Sequence, residues 1–524
     1  MTWWRDAVIY QIYPRSFCDS NGDGIGDLNG ITSKLGHLAW LGIDAIWLNP
    51  VMPSPNSDWG YDVSDYCDIH PELGTLADFD RLIAEAEERG IRVLNDLVPN
   101  HTSSQHPWFV EARSSRTSRY RDWYVWADAK PDGSLPNNWV SSFGGEAWTL
   151  DETTGQNFLH LFLPTQPDLN WWNEEVAVAF DQILRFWFDR GVAGFRIDVC
   201  HAIIKDRELR DNPPATKDDS RAVQAIGQRD VYTTNRPEVH GVLRRWREVA
   251  RTFDTERVLL GETYVWSLDA LTGYYGASDD ELQLCFNIPF VHSRFDASRL
   301  SRIVDNVEKR FPMHAWPVWT GSNHDAGRFT SRWCDDDERK VRCALLMLLT
   351  LRGTPVLYYG DEIGLPAVEL TAAQLVDPVG IRFYPTYAGR DPGRTPMHWT
   401  GDDRVGFTNG KSAWLPNGGP SVNVEAQQAD PTSVLHFCRD LITLRRNCPD
   451  LLTGAYGRRR SPDGTWVYQR GEKFFVALNM SDETAKISRV RGTVRLSTQR
   501  DRDDQTFSGG LALQPWEGVV IERP

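Results

Sequence analysis

From residue 7 onward, short apolar runs rich in β-formers alternate with amphipathic stretches whose apolar positions recur every three or four residues. Eight runs read as strands: Ala7–Tyr13, Ile43–Leu48, Arg92–Leu97, Gly194–Val199, Val258–Gly261, Leu282–Ile288, Val318–Gly321 and Thr354–Tyr359. Helical stretches lie between most of them. Leu76–Arg89 is the clearest, with Leu76, Phe79, Leu82, Ile83 and Ala86 on one face. Such alternation predicts an α/β protein in which parallel strands are joined by right-handed helical crossovers, and eight strands suit a closed (β/α)8 TIM barrel. A doubly wound open sheet also alternates, but no glycine-rich phosphate loop follows the first strand.

Two gaps break the rhythm. The first, Pro99–Arg190, is rich in Trp, Tyr, Ser and Asn and is too long for a bare loop. The second, Asp361–Asp430, is Pro- and Gly-rich and precedes an amphipathic helix expected over Pro431–Cys448. Beyond Pro449 the pattern turns to period two, as in Thr465–Gln469 and Phe474–Leu478, which predicts antiparallel strands. The expected domains are therefore the barrel, residues 1–100 and 173–449, an inserted subdomain after strand three, residues 101–172, and a C-terminal β-sandwich, residues 450–524.

Composition narrows the function. The net charge of −15 disfavours nucleic acid, whose phosphates need a basic face. Eight dispersed cysteines without Cys-x-x-Cys spacing give neither a disulfide framework nor a zinc site. No leader pattern opens the chain and no run approaches a membrane span, so a soluble cytoplasmic protein is expected. Tryptophan, at 22 copies, offers flat apolar faces that suit a pyranose, although most copies are expected in cores.

The chemistry gathers where strands end. Asp198 closes Gly194-Phe195-Arg196-Ile197-Asp198, Glu262 closes Val258-Leu259-Leu260-Gly261-Glu262, and Asp325 closes Ser322-Asn323-His324-Asp325. Carboxylates at the C-terminal mouth of barrel strands are positioned for catalysis. Two close carboxyl groups and a third are what cleavage of a glycosidic bond requires. Arg196 and Asp198 share one side of their strand, so the guanidinium favours an ionised nucleophile. A second acid must hold a proton for the leaving oxygen, and the third can balance an oxocarbenium-like charge. Asp62, His101 and His324 can bind sugar hydroxyls. Separately, Asp19-Ser20-Asn21-Gly22-Asp23-Gly24-Ile25-Gly26-Asp27 sets oxygen donors at alternate positions, as Ca²⁺ prefers. Gly30 at the twelfth position excludes an EF-hand, and a metal-free cluster of Asx turns is the alternative.

These segments, with Ala7–Phe17, Trp59–Tyr66, Asp96–His101, Gln166–Trp171 and Arg390–Trp399, resemble glycoside hydrolase family 13, the α-amylase superfamily, in its α-glucosidase and oligo-1,6-glucosidase branch. The resemblance runs nearly end to end. It implies Asp198 as nucleophile, Glu262 as general acid/base and Asp325 as transition-state stabiliser, acting with retention through a covalent glucosyl-enzyme. Asp62, His101, Arg196 and His324 match residues that grip the non-reducing glucose. Arg390 or Arg394 matches the arginine that pairs with Asp62, and Phe162 an aromatic lent to the acceptor side. The glycine-rich loop matches a structural Ca²⁺ site of Asp19, Asn21, Asp23, the Ile25 carbonyl and Asp27. Val199, after the nucleophile, goes with α-1,6 linkages in the branch, whereas Cys200-His201-Ala202 departs from the 1,6-specific continuation. The segment Lys205–Val231 is expected to be a mobile wall on the acceptor side.

The resemblance thus implies an exo-acting α-glucosidase on short oligosaccharides or other α-glucosides, leaning to α-1,6 or mixed linkage, present as monomer or homodimer. A transglucosidase or sugar isomerase using the same intermediate is the alternative. A catalytically dead binding or transport protein of this barrel type would lack one of the three acids or carry a membrane segment, and this sequence shows neither.

Overall fold

The computed structural model describes residues 2–219 and 221–524. Eight parallel strands form a closed barrel: β1 (Ile9–Ile12), β2 (Ala45–Leu48), β3 (Arg92–Leu97), β4 (Gly194–Ile197), β5 (Val258–Gly261), β6 (Leu284–Phe286), β7 (Trp316–Trp319) and β8 (Thr354–Tyr358). They neighbour one another in sequence order, and β8 returns to β1. Every strand residue except Arg92 is buried, which is why the strands read as continuous apolar runs and not as alternating ones. The β7 expectation, Val318–Gly321, needs correction by two residues. The strand starts at Trp316, and Pro317 is accommodated because the paired residues are Val318 and Trp319, opposite Thr354 and Pro355.

The chain packs as two compact units, residues 1–48, 72–93 and 286–524 in one and 49–71 and 94–285 in the other. In the first, the helix Leu76–Glu88 starts at a capping box between Thr75 and Asp78 and buries Phe79, Leu82 and Ala86. The expected helix over Pro431–Cys448 forms as Val434–Asn447, capped by Ser433, and packs on the apolar helix Glu338–Thr350. Its Arg445, fully buried, donates to the carbonyls of Leu349, Leu351 and Gly353 and so fixes the chain that enters β8. The C-terminal strands make one six-stranded antiparallel sheet, with Val467, Ala477, Val494, Leu511, Val519 and Ile521 in its core.

In the second unit the helix Glu174–Asp189 is capped by Asn173 and buries Val176, Phe180, Ile183, Leu184 and Trp187. The segment inserted after β3 holds a three-stranded antiparallel sheet, with Gln156–Leu159 between Trp126–Ala127 and Trp148–Asp151. Trp139, Trp148, Leu159 and Leu161 form its core, against which Phe162 and Val199 pack. Two glycines are dictated by close approach. A Cβ on Gly194 would stand 2.3 Å from the Val258 carbonyl oxygen, and one on Gly261 would stand 2.3 Å from Leu282 Cδ1. Among the described residues, no helix is long and apolar enough to cross a membrane.

Candidate active site

Register brings the first two acids level. Leu97, Ile197 and Gly261 are paired partners at the ends of β3, β4 and β5. One residue on, the Asp198 N–H donates to the Leu97 carbonyl at 2.8 Å and the Glu262 N–H to the Ile197 carbonyl at 2.9 Å. Between them sits Arg196, 1 % exposed. Its Nη1 lies 2.7 Å from Asp198 Oδ1 and 3.0 Å from Asp96 Oδ1, and its Nη2 lies 2.7 Å from Glu262 Oε2. One guanidinium therefore clamps three carboxylates.

The sequence reading missed Asp96. Its signal was an acid one residue before the strand's end, and the partner became visible only with the register, which sets Asp96 opposite Arg196. Burial pushes the Asp96 carboxyl up to about 6, against the pull of Arg196 and of a hydrogen bond from Tyr61. The sequence reading had Arg196 gripping the sugar. In the structure its two terminal nitrogens reach the carboxylates of Asp96, Asp198 and Glu262 and so position them.

Val199 adopts a left-handed backbone at φ +32°, which is strained for a β-branched residue. The turn aims the Val199 N–H at Glu262 Oε2, 3.0 Å away, while the Cys200 N–H meets the Glu262 carbonyl at 3.1 Å. The backbone after one acid thus holds the other.

Asp62 and His101 belong to the same unit and are sealed. Asp62 accepts from Ser54 Oγ at 2.7 Å, Ser57 N at 2.8 Å and Asp58 N at 3.0 Å. Donors of its own loop thus occupy the Asp62 carboxylate, and within the other unit Arg390 and Arg394 both reach Asp325. His101 lies 2.9 Å from the Tyr61 carbonyl through Nε2 and 3.0 Å from Asn100 Nδ2 through Nδ1, and burial holds its pKa down to about 4. Phe162 is half-buried with its ring 5.1 Å from that of His101.

A buried knot that the sequence did not reveal lies beneath them. Lys205 Nζ contacts Asp168 Oδ2 at 2.8 Å and Asn100 Oδ1 at 2.5 Å. Lys205–Val231, expected as a mobile wall, is tied to the inserted segment through its described residues 205–219 and 221–231, while Ser220 lies outside the described residues. Trp139 Nε1 donates to the Arg210 carbonyl at 2.9 Å and Gln228 Nε2 to the Asn138 carbonyl at 2.6 Å.

In the other unit, His324 and Asp325 follow β7. His324 is 1 % exposed. Gln11 Nε2 meets its Nδ1 at 2.9 Å, leaving Nε2 3.2 Å from Asp325 Oδ2. Asp325 also takes Arg394 Nη2 at 3.0 Å and Arg390 Nη1 at 3.4 Å, yet its side chain stays 35 % exposed and can meet a ligand. Asp377, a further residue missed from the sequence, fixes Arg390 Nη2 at 2.6 Å. Burial alone would raise the Asp377 carboxyl, but Arg390 brings it below the ordinary range.

The glycine-rich loop is wound on its own backbone. Asp19 Oδ1 accepts from the N–H groups of Asn21 and Gly22 at 3.0 and 2.7 Å, Asn21 Oδ1 from Asp23 N at 2.8 Å, and Asp23 Oδ1 from Ile25 N at 2.8 Å. Asp27 caps the helix Leu28–Ser33 through Gly30 N. Among the described residues no three His, Cys, Asp or Glu side chains converge as metal ligands. The donors are nevertheless all hard oxygens, the chemistry Ca²⁺ takes, with the Asn and carbonyl ligands falling outside that set of side chains.

Buried acids at the ends of parallel strands in a closed barrel define a catalytic barrel. The chain belongs to the α-amylase catalytic-domain family, whose pattern matches residues 11–454. It is 44 % identical over 508 residues to the "Probable alpha-glucosidase" of Rhizobium meliloti (strain 1021), covering 92 % of this chain and 90 % of that one. It is 38 % identical over 568 residues to the oligo-1,6-glucosidase of Parageobacillus thermoglucosidasius, covering 99 % of each. Among solved structures, the α-glucosyl transfer enzyme XgtA superposes with a TM-score of 0.93 at 38 % identity over the full length of both chains.

Proposed function

We propose that the protein is a retaining, exo-acting α-glucosidase that releases glucose from the non-reducing end of short α-glucosides. The observation that carries this reading is the Arg196 fork, which binds Asp198 and Glu262 at 2.7 Å each from adjacent strand ends. Asp198 attacks the anomeric carbon. Glu262 gives its proton to the leaving oxygen and afterwards takes one from the incoming water. Asp325, held by Arg394 and His324, balances the positive charge of the transition state. Asp62, His101, His324, Phe162 and the Arg390–Arg394 segment shape the glucose and acceptor subsites. Val199 supports a lean to α-1,6 or mixed linkage, as does the likeness to an oligo-1,6-glucosidase.

A second reading, transfer of the glucosyl group to another sugar through the same intermediate, is favoured by the likeness to an α-glucosyl transfer enzyme. The proposal includes a structural Ca²⁺ held by Asp19, Asn21, Asp23, the Ile25 carbonyl and Asp27, whose role there would be to brace the loop after β1. It also includes a cytoplasmic location, which the eight unpaired cysteines fit, since they suit a reducing compartment.

The test is a product balance on isomaltose, maltose, sucrose and trehalose. Free glucose should dominate, with kcat/KM for isomaltose at least equal to that for maltose. Products dominated by longer or rearranged sugars would replace hydrolysis with transfer.

A further inference from the structure

A groove of about 840 Å³ lies within residues 116–209 of the second unit, a size that suits a small ligand. None of the residues assigned to glucoside cleavage lines it. Its charge opposes that of the chain: five Arg and Lys side chains face three Asp and Glu, in a protein of net charge −15. Several of these charges are already matched. Arg116 pairs with Asp128 at 3.1 Å, Arg121 donates to Gln156 Oε1 at 2.7 Å, and Lys205 is held by Asp168 at 2.8 Å. On the acidic side, Asp206 is neutralised by Arg210 and Arg236, and Glu175 accepts from Trp123 Nε1.

Arg119 and Arg207 differ. Among the described residues neither has a carboxylate or carbonyl partner, and each only rests near an aromatic ring, Tyr120 at 4.5 Å and Trp172 at 5.7 Å. Both are exposed, and Asp122 is the groove acid left to face them. Trp172 is 40 % exposed, yet its ring is fixed by the bond from Nε1 to the Lys205 carbonyl at 2.9 Å. A rigid exposed indole with the Arg207 guanidinium 5.7 Å away, in a groove that Arg119 also lines, combines an apolar face for a sugar ring with planar forks for a phosphate.

We propose that this groove is a second, non-catalytic binding site for a phosphorylated saccharide, with Arg119 and Arg207 taking the phosphate and Trp172 supporting the sugar. The site is separate from the glucosidase reading and stands or falls without it. The experiment is isothermal titration of the full-length protein with glucose 6-phosphate, glucose and inorganic phosphate. The proteins compared are the wild type, Arg119→Gln/Arg207→Gln and Trp172→Ala, with melting curves and α-glucoside turnover as controls.

Glucose 6-phosphate should bind the wild type at least about tenfold more tightly than either glucose or phosphate alone, the scale of one charge-assisted hydrogen bond. The double variant should lose that binding while keeping its melting temperature, and Trp172→Ala should weaken it. Three results would overturn the site: no binding to the wild type, undiminished binding to the double variant, or phosphate alone binding as well as the sugar phosphate with Trp172→Ala unaffected. Arg119→Lys/Arg207→Lys, which keeps the charge, should recover part of the binding and guards against a folding defect in the glutamine variant.

Discussion

Burial outweighs the partners at Asp96 and Asp361, whereas Arg390 outweighs burial at Asp377. At Arg196 one positive group serves Asp96, Asp198 and Glu262, and at Asp96 burial, with the Glu262 charge added, raises the carboxyl against the pull of that guanidinium. The same contest appears at Asp361, fully buried after β8, where burial pushes the carboxyl up to about 7 although Tyr358 N and Ser322 Oγ donate to it. An unfolded Asp releases its proton near about 3.9. Between these values the native state keeps a proton that the unfolded state has lost, so this group's contribution to stability falls as pH rises from about 4 to 7. Asp361→Asn removes that dependence. Relative to wild type it should gain roughly 2–4 kcal/mol between pH 4 and pH 8, read from urea melts at the two pH values. A difference between the two proteins that does not change with pH would show that Asp361 keeps ordinary acidity.

At the scale of elements, the loop after β1 does two jobs through one side chain, since Asp27 closes the oxygen-rich turn and caps the following helix. Asp27→Ala should cost about 1 kcal/mol for the lost cap in any buffer. If the loop takes Ca²⁺ as proposed, added calcium should raise the melting temperature of the wild type and chelator should lower it, with Asp27→Ala insensitive to both. Identical wild-type melts with calcium and with chelator would remove the metal from the account.

Elements were also what the sequence displayed best. The barrel strands are buried on both faces, so each announced itself as an apolar run, and the acids stood out because they interrupt those runs. The partners of charged residues were not legible. Asp377 lies 13 residues from Arg390 in a Pro- and Gly-rich stretch without periodicity, and Lys205 reaches Asn100 across more than a hundred residues. Only tertiary packing reveals such pairs. Arg196 was legible as a neighbour of Asp198, two residues away, but not as a ligand of Glu262 on the next strand. Most tryptophans proved to be core, with Trp4, Trp47, Trp139, Trp187, Trp246, Trp319 and Trp466 fully buried, while Trp40, Trp172 and Trp266 stay exposed.

For the whole molecule, closure of the barrel gives a single order to strands whose acids are far apart in the chain, and the proposed function gives those acids a chemistry. What the account needs is that Asp198 carries the glucosyl group between cleavage and release. The measurement is mass spectrometry of the protein after exposure to a 5-fluoro-α-glucosyl fluoride, an activated sugar whose fluorine slows release of the intermediate. The predicted result is one sugar per chain, on the peptide containing Asp198, with no adduct on Asp198→Asn and with turnover of that variant reduced by at least about a thousandfold. An adduct on another residue, or an Asp198→Asn protein that still turns over α-glucosides at near the wild-type rate, would contradict it.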